Sequence, residues 1–282
     1  MAPRTWFITG VNSGFGRQLS EQLLERGERV AGTIRKPGSV DDLTAKYGDQ
    51  FWTARLDVTD VPAIKAVVGR AFTGLGRVDV VVSNAGYGLF GAAEELTDDQ
   101  IDHVIATNLT GSIQVIRAAL PHLRAQGGGR IVQLSTYGGQ AAFPGGSLYH
   151  ATKWGIEGFA EAVRQEVAPF GIGVTIVEPG GARTEFRYGS SRLSPRLPAY
   201  DGTPAAAIRT ILETGTAVPP GDPVRMATAI IASAEADPAP SRLVLGRDAF
   251  GIIRTALADR LAVIESQQAT AAATDFPPEA AS

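Results

Sequence analysis

Cysteine is missing from all 282 residues. Its absence excludes disulfides, thiol nucleophiles and cysteine-based metal centres, and leaves a reducing cytoplasm as the simplest expected location. Positive charge is not in surplus either: Lys and Arg total 26 against 29 Asp and Glu, a formal net charge of -3. Without clustered cations, nucleic acid is not an expected partner. Charge or glycine interrupts every apolar run well before the roughly 20 residues a membrane-spanning helix needs, so no membrane attachment is expected. Met1 leads almost directly into Arg4-Thr-Trp-Phe-Ile-Thr9, so no cleavable leader is expected. The histidines, His103, His122 and His150, lack carboxylate or cysteine partners at ligand spacing, and no metal site is expected.

What is present is an alternation of short β-branched runs with longer stretches of helical periodicity. Strands are expected at Thr5–Thr9, Arg29–Ile34, Phe51–Leu56, Asp79–Ser83, Arg130–Leu134, Gly173–Val177 and Arg242–Leu245. Most are too uniformly apolar to carry a solvated face, which places them in the middle layer of a parallel sheet. Helices are expected at Gly14–Arg26, Val61–Thr73, Asp98–Ala125 and Ser147–Phe170, with Pro121 bending or ending the third. This order predicts one doubly wound α/β domain over residues 1–266, about seven parallel strands with helices on both faces. Residues 180–223 mix Gly, Pro, Ser, Arg and aromatics around a helix-like run at Ala205–Leu212, and are read as a mobile substrate lid. Residues 267–282, rich in Ala, Thr and Pro, lack an apolar face and are expected to be disordered.

The first strand runs into Thr9-Gly10-Val11-Asn12-Ser13-Gly14-Phe15-Gly16, and an amphipathic helix follows at once. Glycine allows close backbone approach to a ligand, and a helix N-terminus aims free amides and its positive dipole end at a pyrophosphate. Strand, turn and helix in this order favour a dinucleotide site, whereas a Walker loop is excluded because no Gly-Lys-Ser/Thr follows. At the end of the second strand, Gly32-Thr33-Ile34-Arg35-Lys36 offers no carboxylate for ribose hydroxyls but two cations for a 2′-phosphate, so NADP(H) is favoured over NAD(H). Tyr149 and Lys153 lie one helical turn apart on one face. An ammonium there favours the phenolate and would lower the tyrosine pKa from its usual value near 10.

Together these motifs resemble the short-chain dehydrogenase/reductase family. The turn matches its Thr-Gly, three residues, Gly, one residue, Gly pattern in full. Ser83-Asn84-Ala85-Gly86 is similar to the family's Asn-Asn-Ala-Gly segment, differing at the first residue, and Asp57-Val58 matches its adenine contact. The resemblance covers roughly residues 4 to 250 and implies a Rossmann-type fold. Among family members the motif set looks closest to 17β-hydroxysteroid dehydrogenases. The resemblance further implies that Tyr149 is the general acid or base, that Lys153 lowers its pKa and holds the nicotinamide ribose, and that Asn108 helps position Lys153 through water. It puts Arg35 on the adenosine 2′-phosphate, and Pro179, Gly180 and Thr184 on the nicotinamide carboxamide. The family's catalytic serine falls here on Thr136, which keeps the hydroxyl. Its neighbour Ser135 should point the other way, since adjacent strand residues face opposite sides.

The implied activity is hydride transfer between the cofactor and a carbonyl or alcohol, with reduction as the expected direction. Tyr87, Leu89, Phe90, Tyr137, Phe143, Phe186 and Tyr188 suggest an apolar small-molecule substrate. A homodimer or homotetramer built on the two long helices is implied as well. A non-catalytic NADP(H)-sensing or interaction protein on the same fold is the alternative, and the intact Tyr, Lys and Asn set counts against it.

Overall fold

The computed structural model describes residues 3–216 and 218–276, apart from the side chains of Arg187 and Tyr188. Its centre is a parallel sheet of seven strands in the order β3-β2-β1-β4-β6-β7-β9. These are β1 (Thr5–Thr9), β2 (Arg29–Ile34), β3 (Phe51–Arg55), β4 (Val80–Ser83), β6 (Gly129–Leu134), β7 (Ile172–Pro179) and β9 (Arg242–Leu245). A separate two-residue pair joins β5 (Leu89–Phe90) to β8 (Arg192–Leu193).

Both faces of the sheet are covered, which is why the central strands read as continuous apolar runs. In β1, Phe7 enters a core made with α3 (Val61–Leu75), α5 (Ser112–Ala125) and α6 (Ser147–Val167). Its neighbours Trp6 and Ile8 enter the opposite core, built with α1 (Gly14–Glu25), α2 (Asp41–Tyr47) and α8 (Pro223–Glu235). All three side chains are fully buried. From β1 the chain moves outward to β2 and β3, then crosses to β4 on the other side. That reversal opens a crevice at the carboxyl ends of β1 and β4, the place where open α/β sheets hold ligands.

The helix expected over Asp98–Ala125 is three pieces in one run. α4 (Asp98–Ile105) and α5 flank a π-helical turn at Ala106–Gly111 that carries Asn108. A π-turn inserts an extra residue into the helical ladder and re-aims the side chains around it. α5 runs through Pro121 to Ala125, the expected end, so Pro121 does not end the helix. Residues 180–223 carry more local structure than a featureless loop. They include a π-turn at Phe186–Ser190, β8, a bridge between Ala182 and Gly221, and α7 (Ala207–Thr214). Arg209 of α7 reaches Ser194 Oγ (2.8 Å) and Glu95 (3.4 Å), tying the segment to the body of the domain.

Two helices past the lid escaped the sequence reading: α8, and the 19-residue α9 (Arg247–Glu265). The tail expectation needs correcting too. Gln268–Ala272 form a short exposed helix, α10, and the expectation for residues 277–282 lies outside the described residues. Alanine-rich sequence forms helix cheaply even without a face to bury. No helix among the described residues is long and apolar enough to cross a membrane.

Candidate active site

The glycine-rich turn is built by close approach. Gly10 and Gly14 take positive φ of 74° and 56°. Gly16 is held by crowding instead: a Cβ there would lie 2.0 Å from the Gly10 carbonyl oxygen and 2.7 Å from Asn84 Nδ2. Asn84 stitches the crevice together, its Nδ2 donating to the carbonyls of Thr9 (2.8 Å) and Gly10 (3.1 Å). Thr9 Oγ1 in turn accepts from the amides of Asn84 and Ala85, at 2.9 and 3.0 Å. Thr9, a positioning residue absent from the expected set, thereby locks the ends of β1 and β4. At the start of α1, Ser13 makes no side-chain cap and the first turn holds no acidic residue, which leaves the helix amides to an incoming anion.

We expect Gly16→Ala to damage the turn, because overpacking costs roughly 1–3 kcal/mol and sometimes more. The variant should melt several degrees lower, at about 2–4 °C per kcal/mol for a chain of this size, and lose cofactor affinity. Gly158→Ala on α6, whose new Cβ meets nothing within 4 Å, is the control. Thermal denaturation and cofactor titration of both variants check this; a normal turn in Gly16→Ala would show up as matching curves.

One cavity of about 650 Å³ takes in most of the expected site. Gly10, Asn12, Ser13, Gly14 and Phe15 line it at the turn. Arg35, Asp57 and Val58 line one end, Asn84, Ala85 and Gly86 the floor. Thr136, Tyr149, Lys153, Pro179, Gly180 and Thr184 line the other end. Three expected residues do not line it. Gly16 lies behind the turn, Lys36 is exposed away from the cavity, and Asn108 sits one layer back.

Asn108 is 1% exposed. It clamps the backbone of Tyr87 from both sides, accepting from Tyr87 N at 3.0 Å and donating to Tyr87 O at 2.8 Å. Its Nδ2 also reaches Thr152 Oγ1 (3.4 Å), which donates to Tyr149 O (2.7 Å). The direct partner of Lys153 is elsewhere: Nζ donates to Leu134 O at 3.0 Å. Asn108 therefore bolts the segment after β4 to the tyrosine's helix.

Tyr149 is buried between Phe90 and Phe186, with ring centroids 5.6 and 5.8 Å away. Burial pushes its phenol well above the ordinary value; Tyr137 adds to this and the Thr136 hydroxyl opposes it. Burial also pushes the Lys153 ammonium down to about 8, with Glu157 opposing. Burial therefore dominates the Tyr149 phenol, and the lowering expected from the neighbouring ammonium does not set its direction. At Asp57, burial acts to raise the carboxyl, but hydrogen bonds from Thr59 N and Oγ1 and the charge of Arg35 hold it below the usual range.

The two hydroxyls after β6 diverge. Thr136 Oγ1 donates to Pro179 O at 3.3 Å beside Tyr149, whereas Ser135, though it also lines the cavity, donates its Oγ to Glu157 Oε1. Asp248, at the start of α9, was missed by sequence reasoning. Its Oδ2 accepts from Gly181 N (2.7 Å), and a Cβ on Gly180 would collide with its carboxylate. It fixes the turn that presents Pro179 and Gly180, and its pairing with a residue 67 positions earlier left no local signal.

Among the aromatics, Tyr87, Phe90, Tyr137, Phe143 and Phe186 line the cavity. Leu89 does not; it packs with Tyr87 and Val104 in a small cluster of its own, and the Tyr188 side chain lies outside the described residues. The lid contributes Ile208, Ile211 and Leu212 of α7. No group of three or more metal-ligating side chains is found among the described residues.

A doubly wound parallel sheet, a glycine-cradled helix N-terminus at its switch point and a buried Tyr-Lys pair facing the same cavity define the scaffold of a dinucleotide-dependent oxidoreductase. The family model described as short chain dehydrogenase matches residues 4–192, and the chain belongs to that family, whose members act on alcohol and carbonyl groups. A solved short-chain dehydrogenase from Streptomyces avermitilis is similar over 97% of this chain and 99% of its own, with a TM-score of 0.90 and 37% identity. Oxidoreductase BOA17 of Botryotinia fuckeliana is 36% identical over 248 residues, 87% of this chain and 90% of that protein. A 3-ketodihydrosphingosine reductase of Bacteroides thetaiotaomicron is 36% identical over 190 residues, 66% of each chain.

Proposed function

We propose that the protein is an NADPH-dependent carbonyl reductase for an apolar small molecule. The observation that carries this reading is that Tyr149, buried among aromatic rings, lines the same cavity as the open first turn of α1. The residues present fit a dinucleotide: a crevice that a Cβ at Gly16 would fill, uncapped helix amides for phosphates, and a cation at the mouth in Arg35. The cofactor supplies the hydride. The chain's own residues handle the proton. A phenol held neutral by burial carries the proton that a carbonyl oxygen would take up on reduction. Thr136 Oγ1, beside Tyr149, is placed to donate a hydrogen bond to the same oxygen.

Phe90, Phe143 and Phe186, with Ile208 and Ile211 from the lid helix, make the substrate end apolar. One similar protein is named for the reduction of a keto compound. The motif likeness to 17β-hydroxysteroid dehydrogenases points to ketones or alcohols of the steroid or retinoid kind. Residues 180–223 serve as the lid, and the helical run α4–α5 with α6 is the proposed surface for a homodimer or homotetramer.

Arg35 tests the cofactor assignment. A charge-assisted hydrogen bond is worth about 1.5–3 kcal/mol, so Arg35→Ala should weaken NADPH about ten- to a hundredfold and leave NADH nearly unchanged. Lys36, exposed and outside the cavity lining, should compensate only in part. Both cofactors are titrated against wild type and variant at one ionic strength. Equal weakening of the two, or a wild-type preference for NADH, sinks the assignment.

A further inference from the structure

Behind the site lies a buried ionic cluster that the proposed chemistry does not use. Glu157 and Glu178 are 2% and 1% exposed. Arg242 of β9 donates to both, at 2.6 Å to Glu157 Oε2, and a second nitrogen reaches the half-exposed Glu161 at 3.2 Å. Gln140 Nε2 donates to Glu157 Oε2 (2.8 Å) and Glu178 Oε1 (3.0 Å), and Ser135 Oγ donates to Glu157 Oε1. The backbone makes room for this: a Cβ on Gly139 would lie 1.8 Å from Glu157 Oε1.

Three members sit beside a site residue. Ser135 precedes Thr136, Glu178 precedes Pro179, and Glu157 follows Lys153 by one helical turn. Burial and the neighbouring Glu178 carboxylate push the Glu157 carboxyl up, against which Ser135 and Arg242 act; its hydrogen-bond partners are all donors, the surrounding that an acceptor-only carboxylate requires. The interior then holds two carboxylates against one guanidinium, an imbalance that costs several kcal/mol unless another cation is near. Lys153, 7% exposed and bonded only to the neutral Leu134 carbonyl, is that cation.

We propose that Glu157 is a positioning residue for Lys153: held as an anion by Arg242, Gln140 and Ser135, it keeps the buried ammonium charged from one turn away. That Lys153 then serves Tyr149 rests on the functional reading above, but the electrostatic coupling does not. The charged or titratable groups facing Lys153 are Tyr149 and Glu157 on its own helix. Strand β6 offers it only a carbonyl, β7 and β9 reach it through Glu178 and Arg242, and the π-turn brings the neutral Asn108 to Thr152. An anion at Glu157 raises the lysine pKa against the downward push of burial. Removing that anion should therefore let the ammonium lose its proton at lower pH.

The chain's composition makes this measurable. Its lysines are Lys36, Lys46, Lys65 and Lys153, and the first three are exposed. In protein labelled with ¹³Cε-lysine, the Lys153 resonance is assigned by its loss in Lys153→Arg and followed against pH. Glu157→Gln should lower its midpoint by about one pH unit or more. Ser135→Ala, which removes one donor from the Glu157 anion, should lower it less, and Glu157→Asp should stay near wild type. A midpoint unmoved in folded Glu157→Gln overturns the proposal; if that variant does not fold, an unmoved midpoint in Ser135→Ala does so. No substrate enters the titration, so a wild-type protein that reduced no carbonyl would sink the functional reading alone.

Discussion

Tyr149→Phe is expected to keep the fold and NADPH binding while losing about 10²–10⁴-fold in carbonyl reduction, the usual contribution of a general acid. The ring stays packed between Phe90 and Phe186, so little apolar contact is lost. What disappears is the phenol that burial holds protonated beside the Thr136 hydroxyl. Phenylalanine in this place also removes a polar group whose desolvation is costly, so the variant should melt no lower than wild type. Turnover of the best ketone from a panel of apolar substrates, with NADPH absorbance as the signal and cofactor affinity measured separately, checks the expectation. Reduction within about a factor of two of wild type would remove Tyr149 from the chemistry.

The sheet was legible because burial on both faces leaves long uninterrupted β-branched runs. β1, β2 and β9 begin and end where the pattern places them, and the others differ by one or two residues at one or both ends. What stayed hidden lacks such a signature. α9 buries only Ala249 and Ile253, while Phe250, Leu257, Leu261 and Ile264 stay exposed, so its apolar residues mark no single inward face. α8 did carry a start signal, in Asp222 accepting from Val224 N at 2.9 Å with Pro223 at the first helical position. It was absorbed into the reading of a loop rich in Gly and Pro.

At the site, the turn and the Tyr-Lys pair were legible because short local spacing encodes them. Gly16 and Asn108 were found by motif, yet each acts through packing rather than at the cavity surface. Asp248, Glu178 and Arg242 were invisible for a common reason. Each meets its partners across strand and helix ends far apart in the chain, and no spacing rule links them.

Thr136 carries the second large effect: Thr136→Val should lose about 10²–10³-fold, the range for removing one hydrogen-bond donor at a developing oxyanion, while Thr136→Ser should match or exceed wild type. The backbone here is extended, with φ of -168° and ψ of 165°, and the residue opens the tight turn at Tyr137–Gly139. Oγ1 accepts from Gly138 N at 3.4 Å and donates to Pro179 O at 3.3 Å, both long contacts that leave the hydroxyl free to turn toward a substrate oxygen. The methyl lies close to Gly138, where an added Cβ would stand 3.2 Å from it, and restricts the rotamer. Valine keeps that shape and deletes only the hydroxyl; leaving the buried Gly138 N without its weak acceptor costs about 1–3 kcal/mol of stability, which the melting temperatures would register. Serine keeps the hydroxyl and frees the rotamer. Ser135 cannot take over, because its own hydroxyl is committed to Glu157 on the far side of the strand. Steady-state kinetics of the three proteins, with melting temperatures alongside, separate the outcomes, and equal activity in all three would leave the Thr136 hydroxyl without a chemical role.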